Sequence, residues 1–274
     1  MSELVRHAIL DTDFVSKANI IQSKDRVLAD EVLEFPGYRF YCHQKMRQEL
    51  GDHGTRASQG WLDHKITEGD IRCYDDEQII QELKSAAGEY CFAYYRSFLK
   101  EGCNMISSDY YGEYFKELDK YIGEGNLDDA GFLAKLRICE SLIGHQKSYG
   151  EIKAFVLLKT LNYVYGVDAF IFCSDDSGAR LSYANSAAIP CISVLCVFQK
   201  LWLLGKPFDE VKLYYQSFVD WCINRKNPQI NVKVVKFSKG SDKLEKVPIG
   251  SVISDIYAGK YKARLDGYLQ LITE

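Results

Sequence analysis

Two apolar runs that each finish in a pair of acids constrain this chain more than any other feature. Residues 7–14 read HAILDTDF and residues 168–176 read DAFIFCSDD. Apolar runs of this kind, without polar alternation, need cover on both faces, which a strand obtains inside a parallel sheet layered with helices. The acids then fall where each strand meets the carboxyl edge of its sheet, and ligands of open α/β sheets gather at that edge.

Four buried strands are expected, the first over residues 7–14. A helix over 24–33, with Val27, Leu28, Val32 and Leu33 on one face and Pro36-Gly37 at its end, leads to a second strand over 38–42. His43 then opens a helix that carries Glu49. A helix over 151–165, stopped by Gly166, precedes the third strand at 168–174. A helix through 179–184 and the run CISVLCVF at 191–198, taken as the fourth strand and followed by a helix at 199–204, complete the pattern. Such alternation predicts an α/β fold: a doubly wound, mostly parallel sheet with helices on both faces. Residues 51–145 show helical periodicity alone, for example Ile79, Ile80, Leu83, Ala87, Tyr90, Cys91, Tyr94 and Phe98, which predicts a large all-helical insertion. INVKVVKF, at 230–237, alternates with period two and predicts a half-exposed strand, antiparallel or at an edge. The expected organisation is an α/β core over 1–50 and 146–222, the helical insertion over 51–145, and a basic, β-containing C-terminal extension over 223–274.

Charge is unevenly distributed. The net charge is −4, yet residues 51–145 carry 18 acids against 10 bases, and residues 225–264 carry 10 bases against 3 acids. The basic strip can attract phosphates or serve as a solvated face; the acidic insertion suits a protein partner or a homo-oligomer contact better than a nucleic acid. Nine cysteines with no CxxC pair, most of them inside apolar patterns, point to a reducing compartment and away from a zinc knuckle. MSELVRHAIL has no basic-then-apolar leader. Lys153, Lys159, Asp168 and Lys200 interrupt the longest apolar runs, short of the roughly 20 residues of a membrane span. A cytoplasmic protein with no membrane association is expected.

Asp11 and Asp13 close the first strand, Glu49 lies inside the helix after the second, Glu151 opens the helix before the third, and Asp175 and Asp176 close that strand. All can point at one spot. Converging carboxylates repel one another, so such a cluster normally holds a hard divalent cation, Mg²⁺ or Mn²⁺. The matching chemistry is metal-assisted phosphoryl hydrolysis. Taken singly, acids at these places also serve as helix caps and turn residues.

The series ILDTDFVSK, MRQEL, GEIKAF and FCSDDSGARLSYANSAAIPCISVL resembles the PIN-like nuclease domain over 1–50 and 147–206, the last block being the most specific. That resemblance implies Asp11, Glu49, Glu151 and Asp175 as catalytic, metal-binding acids, with Asp13 and Asp176 as further metal ligands. It also implies Mg²⁺ or Mn²⁺ as cofactor and a nucleic-acid substrate, RNA favoured over DNA. Lys17, Arg180, Lys233, Lys236 and Lys239 are the candidate nucleic-acid contacts. ILDTDF followed by Val15 is also similar to the first motif of haloacid dehalogenase-type phosphatases, which would make Asp11 a nucleophile and Asp13 a general acid. That alternative needs a lysine before the Asp-Asp strand, for which Lys153 or Lys159 is available, and it leaves Glu49 and Glu151 without a task. A third alternative is a catalytically silent PIN-like scaffold whose insertion serves assembly.

Overall fold

The first apolar run forms β1 (Arg6–Leu10) and turns at once into α1 (Thr12–Ile20). A small hairpin, β2 (Gln22–Ser23) and β3 (Arg26–Val27), feeds α2 (Leu28–Leu33). Next come β4 (Tyr38–His43), α3 (Gln44–Asp52), α4 (Arg56–Glu68) and β5 (Ile71–Tyr74). Five helices follow: α5 (Asp76–Ala87), α6 (Cys91–Ile106), α7 (Tyr110–Tyr114), α8 (Lys116–Gly123) and α9 (Asp129–Ile143). Then α10 (Tyr149–Tyr165) leads to β6 (Phe170–Cys173), and α11 (Ser177–Ala187) to β7 (Cys191–Ile192). The chain continues through α12 (Val194–Leu203), α13 (Phe208–Asn224), β8 (Asn231–Ser238), β9 (Ser241–Pro248), α14 (Ile249–Tyr257), β10 (Tyr261–Ala263) and β11 (Leu269–Leu271). The computed structural model describes residues 5–52, 56–125, 128–143, 148–224, 231–238 and 241–272.

The protein is α/β, with a five-stranded parallel sheet in the order β5-β4-β1-β6-β7. Alternate residues of each strand enter opposite cores. Ile9, Tyr41, Phe170 and Phe172 pack with α5, α6, α9, α10 and α11; Ala8, Leu10, Phe40, Cys42, Ile171 and Cys173 pack with α1, α2, α3, α12, α13 and α14. Cover on both faces is why these strands read as uninterrupted apolar runs.

Several sequence expectations are corrected. Residues 51–145 are not wholly helical, because Ile71–Tyr74 returns to the sheet as the edge strand beside β4. Only Ile71 of β5 is fully buried, so the strand left no apolar run to detect. The helices of that segment build one of the two sheet-covering layers. The expected helix at 24–33 begins only at Leu28, since the β2–β3 hairpin occupies 22–27. CISVLCVF yields two strand residues and then a helix: Ser193 Oγ accepts the Cys196 N–H at 3.4 Å and caps α12. An all-apolar run is equally suited to a buried strand or a buried helix, and the cap decides between them. β8 pairs antiparallel with β9 as anticipated, but it also pairs with β11, so it lies inside a four-stranded sheet of order β10-β11-β8-β9.

Two polar devices fix the elements nearest the carboxyl edge. Lys153, on α10 and only 1% exposed, donates to Asp76 Oδ1 at 2.7 Å and to the Tyr95 hydroxyl at 2.8 Å, and pairs with Glu140 at 2.7 Å. Burial opposes its charge, but the Asp76 and Glu140 carboxylates prevail and hold its ammonium above the ordinary value. Asp76 also meets His43 Nε2 at 3.3 Å. Because His43 Nδ1 accepts the Lys45 N–H at 3.0 Å, Nε2 must carry the proton given to Asp76. The second device is a C-terminal strap. Cys191 N–H donates to the Leu265 carbonyl at 2.7 Å, Ser193 Oγ to the Gly267 carbonyl at 2.7 Å, and Gln199 Nε2 to the Tyr261 carbonyl at 2.9 Å. Gly267 has φ 71°, and a Cβ there would lie 2.7 Å from Arg180 Cδ, so both backbone and space demand glycine.

Replacing Lys153 by methionine strands two half-buried carboxylates and is expected to cost about 3 kcal/mol of stability. Urea denaturation measures it, and most of the loss should return when Asp76→Leu and Glu140→Leu are added.

Candidate functional site

Asp11 stands at the N-cap position of α1, yet its side chain caps nothing there. Instead Asp11 Oδ2 accepts a 2.8 Å hydrogen bond from the Ser174 hydroxyl at the end of β6. Ser174 Oγ in turn accepts the Asp176 N–H at 3.1 Å. One residue past Asp11, Thr12 Oγ1 donates to Glu49 Oε2 at 2.7 Å and so joins the start of α1 to α3. Glu49 lies flat against the first turn of α10. A Cβ on Gly150 would sit 2.7 Å from its Oε2 and 2.9 Å from its Oε1. Glu151 is the next residue of that turn, and the carbonyl of Glu151 accepts the Tyr183 hydroxyl at 2.7 Å. The Tyr183 ring stacks on Phe172 at 3.8 Å and anchors α10 to β6.

Electrostatics binds these acids into one group. Burial, then the Glu151 carboxylate, pushes the Asp11 carboxyl well above the ordinary range; the Ser174 hydroxyl opposes the rise, while Asp13 and Glu49 add to it. Burial likewise pushes Glu151 up to about 7, against the pull of its own backbone N–H and with the help of Glu49, Asp176 and Asp13. The charges acting most strongly on both carboxyls are therefore carboxylates. Asp13 and Glu49 act on both carboxyls, Glu151 on Asp11, and Asp176 on Glu151.

Asp175 does not share in that set as expected. Its Oδ1 accepts the Val194 N–H at 3.1 Å at the start of α12, and its Oδ2 is ion-paired with Lys17. Asp176, the alternative, both caps α11 through the Ala179 N–H at 2.9 Å and acts on Glu151. Arg180 is corrected as a nucleic-acid contact. It is 4% exposed, and its guanidinium donates to the Ser174 carbonyl at 3.1 Å and the Asp266 carbonyl at 3.0 Å, a clamp between β6 and the C-terminal strap. Lys236 pairs with Glu245 across the β8–β9 hairpin at 3.8 Å. Lys233 belongs to β8, but its side chain, like all of Lys239, lies outside the described residues. Elsewhere in the basic strip, Lys260 pairs with Asp255 and Arg264 with Asp242, which lowers its net pull on phosphates.

Oxygen-only donors that raise one another's proton affinity fit a hard divalent cation. The two hydroxyl donors, Thr12 and Ser174, supply the outer contacts that orient such ligands. Among the described residues, no group of three or more His, Cys, Asp or Glu is gathered closely enough to hold an ion as placed. The coupling acts through space rather than at ligand distance. Thr12, Ser174 and Gly150 were not singled out from the sequence, although each adjoins a predicted acid. The role of Lys153 as a polar core residue is not legible in the sequence, because a single charge in an apolar run does not disclose its partners. Among the described residues no helix is long and apolar enough to cross a membrane. The chain matches no protein-family model, no curated protein and no solved structure.

Gly150→Ala should separate site from scaffold. Alanine favours the helix by up to about 1 kcal/mol, while its methyl group displaces the Glu49 carboxylate, so a melt near wild type with a large fall in divalent-ion affinity by calorimetry is expected. The Glu151 carboxyl ionises near 4.5 when unfolded and near 7 when folded. Between those values the fold keeps a proton that the unfolded chain has lost. Its contribution to stability is therefore fullest below pH 4.5, declines up to about pH 7, and stays low above. Melts in EDTA should trace that decline, and Glu151→Gln should reduce it; an unaltered slope would contradict the burial of this carboxyl.

Proposed function

We propose that this chain is a metal-dependent endonuclease of the PIN-like type that hydrolyses phosphodiester bonds, RNA favoured over DNA. The observation that carries the proposal is the Asp11 carboxyl, buried at a strand end and raised well above its ordinary range with Glu151, Asp13 and Glu49 beside it. Asp11, Glu49 and Glu151, with Asp13 and Asp176 at the margin, would hold Mg²⁺ or Mn²⁺. When bound, such an ion supplies positive charge for phosphate oxygens and lowers the pKa of a coordinated water. The chain's own contribution is placement. Ser174 and Thr12 fix two carboxylates, and Gly150 admits Glu49.

The phosphatase alternative gains no support from the lysines. Lys153 is held by Asp76 and Glu140, and Lys159 pairs with Glu101 at 2.8 Å. RNA favoured over DNA, and cytoplasmic residence, rest on the sequence resemblance and the cysteine usage.

Labelled single-stranded RNA, single-stranded DNA and a phosphomonoester, each with Mn²⁺ or EDTA, test the proposal. Mn²⁺-dependent cleavage of RNA is expected, lost in Asp11→Asn and reduced roughly 10- to 100-fold in Ser174→Ala and Thr12→Val. Turnover of the monoester alone would instead mark a phosphatase, and inactivity on all three a scaffold. Asp175→Ala should act mainly on stability, by about 0.5–2 kcal/mol, through loss of its hydrogen bond to the start of α12.

A further inference from the structure

Residues 174–177 run along the carboxyl edge with alternating allegiance. Ser174 and Asp176 turn toward the acid cluster. Asp175 and Ser177 line a separate cavity of about 280 Å³ on the other side of the same backbone. Its remaining walls come from α12, α13 and the C-terminal strap, and they include the rings of Phe218, Trp221 and Tyr268. The Trp221 and Tyr268 rings are half-buried. Phe218 stacks near-parallel to Trp221 at 6.3 Å between centroids, and the Arg180 guanidinium, which also lines the cavity, lies 5.1 Å over Tyr268, so both rings are held in place. Lys17, which lines the cavity, pairs with Asp175 and lies 5.6 Å from the Trp221 centroid.

We propose that this cavity is a nucleobase subsite, taking the base attached next to a phosphate held at the acid cluster. The inference rests on the nuclease proposal and adds to it a recognition surface built partly from the C-terminal strap. Among the described residues the cations that line the cavity, Lys17 and Arg180, already have oxygen partners, so a phosphate finds little here. A planar ring finds aromatic walls, and its polar edge meets the Ser177 hydroxyl and the Asp175 carboxylate at the rim. Stacking on fixed rings tolerates any base, because every base has a π face. The cavity is small for a ligand pocket and suits one ring system with its sugar outside.

The test uses the whole protein and a fluorescent single-stranded RNA hexamer, beside an abasic hexamer of equal length and charge, with binding read by anisotropy in Ca²⁺, a hard cation for the oxygen donors. Removing the bases is expected to weaken wild-type binding roughly 10-fold. Trp221→Leu should bind both hexamers as weakly as wild type binds the abasic one, and Trp221→Phe should restore the difference. Equal binding of the two hexamers by wild type overturns the subsite, as does a Trp221→Leu variant that still tells them apart. Uridine monophosphate displacing the hexamer at matched concentration would make the occupant a free nucleotide and overturn the polymer assignment. Cleavage in Mn²⁺ is scored separately. Base-dependent binding without cleavage sinks the nuclease proposal and keeps the pocket; cleavage without base dependence does the reverse.

Discussion

A single ammonium group, that of Lys153, holds the carboxyl edge of this fold in register. Removing it from water is costly, and only the simultaneous presence of Asp76 and Glu140 makes the charge tolerable. Those partners come from α5 and α9, while Tyr95 adds α6 and His43 adds the end of β4. Four helices and a strand therefore meet at one point. Two residues earlier on the same helix stands Glu151, and one before that Gly150, so the first turn of α10 inherits its position from this junction. Asp76 benefits in turn: burial would raise its carboxyl, but Lys153 and His43 hold it well below the ordinary range.

The acid cluster is organised on the opposite principle. At Lys153 opposite charges satisfy one another. Around Asp11 like charges are assembled, and two neutral hydroxyls are the hydrogen-bond donors closest to hand. Such an arrangement is unfavourable for folding alone. It persists because rigid elements impose it: β1 and β6 are hydrogen-bonded neighbours, and Tyr183 ties α10 to α11. The two networks sit side by side on one sheet edge, and the compensated one restrains the uncompensated one.

Much of this was legible in the sequence, for definite reasons. Long buried strands announce themselves because both faces are covered, and their terminal acids fall at the carboxyl edge by geometry alone. Asp11 directly after β1 and the Asp175-Asp176 pair after β6 lie where that geometry puts them. What escaped depended on side-chain direction or on contacts distant in sequence. Asp175 and Asp176 are adjacent and chemically identical, and only the turn after β6 decides that one faces Glu151 while the other meets Lys17 and the start of α12. β5 was invisible because an edge strand with one buried residue lacks a hydrophobic signature. Residues 194–198 looked like a strand until Ser193 was seen to cap them. Arg180 resembled a phosphate contact because nothing local reveals that Ser174 and Asp266 enclose it.

The strap over 261–269 has a further implication, in the order of manufacture. It is threaded against β7, α12 and Arg180, which leave the ribosome 62 to 86 residues earlier. Until it arrives, the backbone after β6 lacks the partner that grips Arg180, and the wall beside Asp175 is missing. A nascent chain with every acid already translated would still carry an unfinished edge, so the completed surface exists only in molecules whose synthesis has run through the strap.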